Sequence, residues 1–538
     1  MAKTIERPVA APPKAEDGRK WLVLVAMVFG LFMPMLDNLV VNVALPTIQR
    51  KLGAGFSGLQ WVIDAYTLTF ASFMLTGGAL GDLYGRKRFF MTGLVVFMTG
   101  SLLCGLSGST SELVAFRALQ GLGAAMLLPG SLSIITATFS GRERGAAIGI
   151  WAAMSGLAVA IGPVVGGFLV EHVSWQSIFY INVPIGIVGL TLTASVVRES
   201  RDTTKSRRLD PPGLVAGTAG LFFLVYALIE GNARGWTDGL ILGSFAVSAV
   251  LLVTFFRIES RKDSPMLPLG FFKIPTFAAA NVVAAAVFFA MFGSVFFLTL
   301  YLQNVLGFSP VQAGTKLLAF SAVMLLVAPT AGRLSDRFGS RWFMTAGPLV
   351  AATGMALLLR TTVHSSYVGV LLPAFIVLAA GMAMTMTPMT AAVMGSVETR
   401  HAGVASAATN TSREIGGVFG IALLGAVVSA AFSRAFVANL VARGFPSGTA
   451  GAISAKGGQA LASGGLTVRT FLAHAPAGTT AAQAQAVVDA VHRSFVHAMH
   501  VGQFLSIGFM VLASLVSVVF VRSHVEREAG ERVEVYAG

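Results

Sequence analysis

Fourteen apolar runs follow one another along this chain, and each is about 20 residues long, the length of a helix that crosses the hydrocarbon core of a bilayer. Hydrophobic residues make up 55% of the sequence, charged residues only 12%, and the mean hydropathy is +0.76. A chain this apolar cannot consist of several soluble domains. We therefore predict an all-α polytopic membrane protein with fourteen transmembrane helices. These are expected to begin near Trp21, Gly58, Phe89, Leu113, Ala146, Gln176, Gly213, Gly239, Phe277, Val311, Trp342, Val368, Gly403 and His497.

Basic residues outnumber acidic ones, and in a soluble protein the formal net charge of +14 would suggest a nucleic-acid partner. Their distribution gives a different explanation. When the N-terminus is placed in the cytoplasm, most of the 38 Lys and Arg residues fall in inner loops and tails, as the positive-inside rule requires. We therefore expect a multi-pass protein of the cell membrane, with both termini cytoplasmic and the bilayer, rather than nucleic acid, as the partner of these charges.

One short loop sequence occurs twice, at an offset of 254 residues. Eight predicted helices separate the two copies, an even number, so both copies face the same side and the two halves of the chain are parallel repeats. A plain duplication of six helices would separate the copies by six, so two helices must be inserted between the halves. The matching pairs are Gly78 and Gly332, Asp82 and Asp336, Gly85 and Gly339, and Lys87 and Arg341.

The duplication divides the chain into two bundles and a linker. Residues 21–197 are predicted to form the first six-helix bundle, and residues 276–521 the second. The linker, residues 198–275, carries the two inserted helices. Within the second bundle, the Ala- and Gly-rich residues 431–496 are predicted to form an external loop. Residues 1–20 and 522–538 are expected to be cytoplasmic tails.

The repeated loop resembles motif A of the major facilitator superfamily. Leu113–Gly123 resembles its motif B, which is associated with proton transfer, and Ala158–Gly167 resembles motif C, which is associated with exporters. Two departures are small: Ala158 replaces the usual glycine of motif C, and Ser340 replaces a basic residue in the second motif A. Within the superfamily the chain resembles the fourteen-helix drug:proton antiporter family, which includes the QacA-like and EmrB-like exporters. Further motifs of that group are matched by Asp37–Pro46, Tyr301–Gln303 and Asn410–Arg413.

This resemblance implies the major facilitator fold and a secondary active transporter rather than an enzyme. The expected activity is the export of hydrophobic drugs or antibiotics, cations among them, in exchange for protons by alternating access. A dedicated exporter of one natural product, lipid or siderophore would use the same motifs. A proton-coupled importer is disfavoured by motif C. The resemblance implies no cofactor beyond the proton gradient, and we expect a monomer.

The two motif A loops are expected to form a gate on the cytoplasmic side. Asp82 and Asp336 would accept hydrogen bonds from a neighbouring helix N-terminus and pair with nearby bases, while glycines permit tight turns. The alternative is that these residues only fix the loop topology. The gate residues are Gly78, Asp82, Gly85, Arg86, Gly332, Asp336, Arg337 and Gly339.

Ionisable side chains inside a bilayer are costly and therefore mark function. Asp37 follows Pro34 in the first helix, Asp64 lies early in the second, and Arg117 lies in the fourth. We predict that Asp37 is the proton-coupling carboxylate, that Arg117 modulates its proton affinity and that Asp64 assists. An interfacial position remains the alternative for Asp64.

Two more candidates for substrate binding or coupling are Arg413 and Glu414. Adjacent residues on a helix point about 100° apart, so these two need not pair with each other. Each is expected to have a partner on another helix.

Motif C offers a strip without side chains. Gly162, Gly166 and Gly167 would let a second helix pack closely, and Pro163 removes a backbone donor and can kink the helix. Generic packing of small residues is the alternative interpretation.

The remaining chemistry is sparse. Cys104 is the only cysteine, which excludes an internal disulfide and a Cys-x-x-Cys redox site. No metal-ligand cluster, Ser-His-Asp set or phosphate-binding loop is evident, and His492, His497 and His500 are interpreted as interfacial rather than as a metal site. Several Met and Phe residues could line an adaptable apolar pocket, but such residues are more often core or lipid-facing.

Overall fold

The computed structural model describes residues 17–139, 141–201, 211–262, 269–397, 402–461, 466, 468–472 and 480–521, apart from the side chains at some helical positions. All regular structure in these residues is helical, and they contain no strand. The predicted all-α class is therefore confirmed.

The first bundle contains six long helical segments, the sixth of which is broken in two. The helices are α1 (Asp17–Leu52), α2 (Phe56–Tyr84), α3 (Arg86–Leu106), α4 (Thr110–Thr138), α5 (Gly141–His172), α6 (Ser177–Tyr180) and α7 (Asn182–Val196).

An inserted pair and the second bundle follow. The inserted pair is α8 (Pro211–Arg234) and α9 (Gly239–Ser260). The second bundle contains α10 (Pro275–Leu300), α11 (Pro310–Phe338), α12 (Ser340–Leu358), α13 (Leu372–Gly395), α14 (Ala402–Val441), α15 (Ser447–Leu461), α16 (Val468–Leu472) and α17 (Ala481–Phe520). A 3₁₀ turn (Leu269–Lys273) precedes α10, and short π-helical stretches follow α10 (Tyr301–Val305) and precede α13 (Tyr367–Leu371).

Each of the fourteen predicted apolar runs lies in one of these helices, with α6 and α7 together forming the sixth. By length and hydropathy, eleven helices of the described part qualify as membrane spans. A count of fourteen spans is consistent with the structure and stays a prediction.

The helices alternate in direction, which gives the molecule two faces. We call the face that carries the turns at Gly85 and Gly339 the motif face. The opposite face, where α1 ends at Leu52 and α2 begins at Phe56, is the distal face.

A basic side chain ties the start of one helix to the end of another in each bundle. Lys87, at the start of α3, donates through Nζ to the carbonyl oxygen of Ala194 at 2.6 Å. Arg341, at the start of α12, donates through Nη2 to the carbonyl oxygen of Val518 at 2.5 Å. Both acceptors are third from the end of the last long helix of their bundle, where carbonyls lack intrahelical donors. The repeat seen in the sequence is therefore also a repeat of contacts.

Residues 431–496 differ from the predicted loop. Of these, 431–441 belong to α14, and α17 begins at Ala481 instead of near His497. Each helix has 40 residues and is therefore about 60 Å long, roughly twice the hydrocarbon thickness. The extensions pack together, with Asn439 Nδ2 donating to Ser494 Oγ at 2.9 Å, and a capping box at Thr480 starts α17. Hydropathy marks only the part of a helix that meets lipid, which is why the prediction ended α14 too early and began α17 too late.

The inserted pair packs beside the two bundles. α8 lies against α9 and also contacts both α2 and α14, one helix from each bundle. Leu68, Val225, Ile229, Val418 and Ala422 form one buried apolar cluster where these three helices meet.

Candidate functional site

A buried ion pair lies inside the first bundle. Arg117 on α4 donates through Nη1 to Asp37 Oδ2 on α1, and both side chains are almost fully buried. Gln120 Nε2 donates to the other carboxylate oxygen, Oδ1, at 2.8 Å, and Asn182 Nδ2 donates to it at 3.0 Å. The carboxylate of Asp37 thus receives donors from α4 and α7.

The guanidinium of Arg117 is held on several sides. Its Nε donates to the carbonyl oxygen of Val62 at 3.0 Å, and its Nη1 also donates to Gln120 Oε1 at 2.8 Å. Its Cζ lies 4.1 Å from the ring centroid of Tyr66, at cation–π distance. Because several groups hold the guanidinium, it can stay in place if the carboxylate becomes neutral.

Two members of this network, Asn182 and Gln120, were not predicted as site residues from the sequence. Asn182 lies at the break between α6 and α7. It donates to Asp37 on α1 and also to Ser101 Oγ on α3, the latter at 3.0 Å. Gln120 lies within Leu113–Gly123, the segment that resembles motif B, and its sequence position alone predicted no role for it. An isolated Asn in an apolar run is a weak signal, whereas an intramembrane charge is a strong one.

Asp64 lies apart from this pair, on α2. Its side chain is fully buried, and neither carboxylate oxygen has a hydrogen-bond partner among the described residues. This burial counts against the interfacial alternative, because an interfacial carboxylate would reach water. Gln60, one helical turn away on the same face, donates to the carbonyl oxygen of Ile421 on α14 at 2.9 Å. Asp64 therefore lies on the face of α2 that meets the second bundle.

Arg413 and Glu414 are adjacent on α14, and Arg413 has a partner on another helix. Arg413 donates to Thr390 Oγ1 on α13 at 2.8 Å and to Asn410 Oδ1 at 3.1 Å. Glu414 is buried, and its Oε2 has no hydrogen-bond partner among the described residues.

Motif C packs α5 between two other helices. A Cβ on Gly162 would lie 3.0 Å from Cβ of Leu39, and one on Gly166 would lie 3.0 Å from Cα of Val40, both on α1. Gly167 faces α11 instead, where a Cβ would lie 2.4 Å from the carbonyl oxygen of Pro310. A Cβ on Gly314 of α11 would in turn lie 2.1 Å from the carbonyl oxygen of Pro163 of α5.

The same glycine pattern recurs in the second bundle, and the sequence analysis missed it. Gly416 and Gly420 stand 254 residues after Gly162 and Gly166, the offset that relates the two motif A loops. A Cβ on either would lie within 2.3 Å of a backbone oxygen of α10. α14 thus packs on α10 as α5 packs on α1, and the offset was the signal that could have revealed it.

Hydrogen bonds join the two bundles in their distal half. Besides the Gln60 bond, Gln303 Nε2 in the π-helical stretch after α10 donates to the carbonyl oxygen of Val43 at 2.8 Å. The backbone N–H of Val311 donates to the carboxylate of Glu171 at 3.0 Å. The rings of Phe56 and Phe296 also meet across the bundles, with centroids 5.9 Å apart. The distal side of the molecule is therefore closed in this conformation.

At the motif face, a carboxylate from the linker between the bundles caps a helix. The backbone N–H groups of Lys87 and Arg88 donate to the two oxygens of Glu199 at 3.1 and 3.2 Å, so Glu199 caps the start of α3. Gly85 has a φ of 118°, and a Cβ there would lie 2.8 Å from Glu199 Oε1. Glu199 lies in the linker, residues 198–275, for which no gate residue was predicted from the sequence.

The other predicted gate residues are only partly described. The side chains of Asp82 and Asp336 and the surroundings of Gly78 lie outside the described part of the chain. The backbone N–H of Arg86 donates to the carbonyl oxygen of Ser200 at 3.0 Å. At the second copy, Gly339 has a φ of 89°, Arg337 is exposed, and a Cβ on Gly332 would lie 3.0 Å from Thr387 Cγ2.

Nothing in the described residues forms a metal site. They contain no group of three His, Cys, Asp or Glu side chains placed to hold an ion. His500 instead lies 3.0 Å from the hydroxyl of Thr361 through Nε2. Met382 and Phe289 are buried in the apolar core, which favours the core interpretation of the Met and Phe residues.

Among curated proteins, the chain is 38% identical over 420 residues to "Multidrug resistance protein Stp" of Mycobacterium tuberculosis (strain CDC 1551 / Oshkosh), which is 78% of each chain. It is 34% identical over 428 residues to "Tetracenomycin C resistance and export protein" of Streptomyces glaucescens, 79% of each chain. It is also 36% identical to "Puromycin resistance protein pur8" of Streptomyces alboniger, over 80% of this chain and 86% of the relative.

The fold matches solved transporters. A bacterial homologue of the human lysosomal transporter Spinster, in an inward-facing and unoccupied conformation, superposes with a TM-score of 0.61 at 19% identity, covering 95% of this chain and all of the other. The peptide transporter POT in complex with sulfate gives a TM-score of 0.56 at 16% identity, over 84% of this chain and 94% of its own. The model of one transporter family matches residues 27–421. The chain belongs to the Major Facilitator Superfamily.

Proposed function

We propose that this protein exports hydrophobic small molecules, antibiotics among them, from the cytoplasm in exchange for protons by alternating access. The observation that carries the proposal is the buried Asp37–Arg117 pair. Charged side chains inside a membrane are energetically costly, and those that are present usually serve transport. Support for the substrate class comes from relatives named for antibiotic resistance and export.

The chemistry proposed for Asp37 is reversible proton binding. A proton on the carboxylate neutralises one half of the ion pair, while Val62, Gln120 and Tyr66 continue to hold Arg117. The change in charge alters how α1, α4 and α7 hold one another, because Asp37 accepts hydrogen bonds from both other helices. Protonation is thereby coupled to packing within the bundle, as a transporter driven by protons requires.

Asp64 is proposed to carry a proton in this conformation. An ionised carboxylate buried without a partner would cost several kcal/mol. Its face of α2 meets α14, so opening of the distal side would expose Asp64 and let it exchange its proton with water. Asp37 and Asp64 would then be in opposite protonation states in the conformation described here.

The orientation is part of the proposal. With the N-terminus in the cytoplasm of a plasma membrane, the motif face is cytoplasmic and the distal face is external. The closed distal half then corresponds to a state that receives substrate from the inside. The exporter is proposed to act as a monomer. Gln60, Glu171 and Gln303 would form the external gate, and the two motif A loops the internal one.

The test is substrate-induced proton release in proteoliposomes, measured with a pH-sensitive dye after addition of puromycin or ethidium. Wild type should release protons, and Asp37→Asn should not. Asp489→Asn is the matched control, because Asp489 lies on the distal extension of α17, where it accepts a hydrogen bond from Gln485 at 2.8 Å. Normal release by Asp37→Asn would remove Asp37 from the coupling role.

A second candidate is a dedicated exporter of one natural product. It is favoured by relatives named for a single compound, such as tetracenomycin C or puromycin. Expression in a drug-sensitive host separates the two. Resistance to several unrelated compounds supports the broad exporter, and resistance to one compound supports the dedicated one.

A further inference from the structure

The internal repeat creates two equivalent seams between the bundles. At the offset of 254 residues, α2 corresponds to α11, and α5 corresponds to α14. One seam therefore runs between α2 and α14, and its counterpart runs between α11 and α5. In a symmetric molecule both seams would have the same exposure to the bilayer.

The inserted pair covers the first of these seams. Trp61 of α2 donates through Nε1 to Glu230 Oε1 of α8 at 3.1 Å, and its ring lies 5.9 Å from that of Phe222. On the other side of the seam, Val418 of α14 packs into the same buried cluster as Val225 of α8. α8 thus lies over the line where α2 and α14 meet.

Burial at equivalent positions shows the consequence. On the α14-facing side of α2, Gln60 is 1% exposed, Asp64 0% and Ala71 1%. Their counterparts on α11 are Gly314, which is buried, Leu318, which is 37% exposed, and Leu325, which is 59% exposed. Ala71 and Leu325 each lie 15 residues after the first residue of their helix.

The α5–α11 seam is packed closely near the distal face. Gly314 meets the carbonyl oxygen of Pro163 there, and Val311 donates to Glu171. Leu318 and Leu325 follow Gly314 by one and three helical turns, so they lie on the same side of α11. Exposure on this side of α11 therefore rises from the distal face toward the motif face.

We propose that the inserted pair closes the α2–α14 seam to the bilayer and leaves the α5–α11 seam as the single lateral route by which a lipophilic substrate, dissolved in the inner leaflet, reaches the interior. The inference rests on the proposed export function. Apolar Leu318 and Leu325 suit such a solute, because they give it a contact surface without a loss of hydrogen bonds.

Cysteine labelling tests the asymmetry. Everted vesicles that contain Leu325→Cys, Leu326→Cys or Ala71→Cys are treated with N-(1-pyrenyl)maleimide, which partitions into the bilayer. Leu326 is the matched control, since it is 72% exposed on the same helix but points about 100° away. Wild type serves as the labelling blank because Cys104 is buried. We expect labelling at 325 and 326 and none at 71.

Transport then tests the route. Uptake of rhodamine 6G into everted vesicles with an acidic lumen should fall about tenfold when pyrene occupies position 325, equivalent to about 1.4 kcal/mol of added barrier. Pyrene at position 326 should leave uptake within about twofold of that of the unlabelled variant. A twofold change corresponds to less than half of that added barrier. If the Leu325 variant fails to fold, Leu318→Cys takes its place.

The two hypotheses fail differently. Labelling of position 71 as fast as position 325 overturns the seam assignment even if export is intact, and so does an equal effect of pyrene at 325 and 326. If wild-type vesicles take up no rhodamine 6G, the result counts against the proposed export function. Unequal labelling of positions 71 and 325 in the same experiment would still support closure of the α2–α14 seam.

Discussion

Asp37 and Arg117 are 80 positions apart in the chain and form an ion pair that is shielded from solvent on every side. Gln120 links the two partners, since it donates to the carboxylate and accepts from the guanidinium. The loss of either partner would leave the other as an unpaired buried charge, which strongly destabilises the folded state.

Removal of the guanidinium should destabilise the fold more than removal of both charges. Arg117→Met leaves an unpaired buried carboxylate, and breaking a buried pair typically costs about 3–5 kcal/mol. Adding Asp37→Asn should restore a large part of that loss. Thermal unfolding in detergent, monitored by tryptophan fluorescence, ranks the variants by stability. Arg434→Met, at an exposed position, is the control. A double variant less stable than Arg117→Met would contradict the assignment.

Loss of Asn182 should weaken transport without abolishing it. Asn182→Ala removes one donor to Asp37, and a hydrogen bond to a charged group is typically worth about 1.5–3 kcal/mol. Ser101→Ala, which removes only the hydroxyl that Asn182 donates to, should have a smaller effect. The initial rate of substrate-induced proton release measures both. An equal loss in the two variants would mean that Asn182 acts through Ser101 and not through Asp37.

Adding a methyl group at Gly314 should open the distal side. The Cβ of Gly314→Ala would lie 2.1 Å from the carbonyl oxygen of Pro163, so α5 and α11 must move apart, at a typical overpacking cost of about 1–3 kcal/mol. Gly243→Ala is the matched control, since nothing lies within 4 Å of its Cβ. Spin labels at Lys51→Cys and Ser366→Cys, on distal ends of the two bundles, report the separation. The Gly314 variant should show longer distances, and identical distributions in the two alanine variants would refute the expectation.

The external gate should also loosen when its glutamines are removed. Gln60→Met and Gln303→Met each delete a buried side-chain donor to a backbone carbonyl of the other bundle, a bond typically worth about 0.5–1.5 kcal/mol. The same pair of spin labels should show a larger open fraction in the double variant than in either single one. Gln485→Met, which loses only a bond within α17, should leave the distribution unchanged.

Much of the architecture could be predicted because lipid imposes simple rules. A helix must satisfy its own backbone in the bilayer, so each apolar run of spanning length became a helix. Asp37 and Arg117 were recognisable because intramembrane charges are rare. Neutral polar residues such as Asn182 carry no comparable signal, and neither does a cap such as Glu199, whose role depends on which helix end it meets.

The sequence by itself determined the all-helical class, the duplication and the residues whose charge must be used or neutralised. Only the tertiary structure decided that Asp37 meets Arg117, that α14 and α17 continue past the bilayer, and that α8 lies over one seam and not the other. The physical reason is that hydropathy and spacing act locally along a helix, whereas these contacts depend on how helices distant in the chain pack, which close glycine contacts and a few buried hydrogen bonds select.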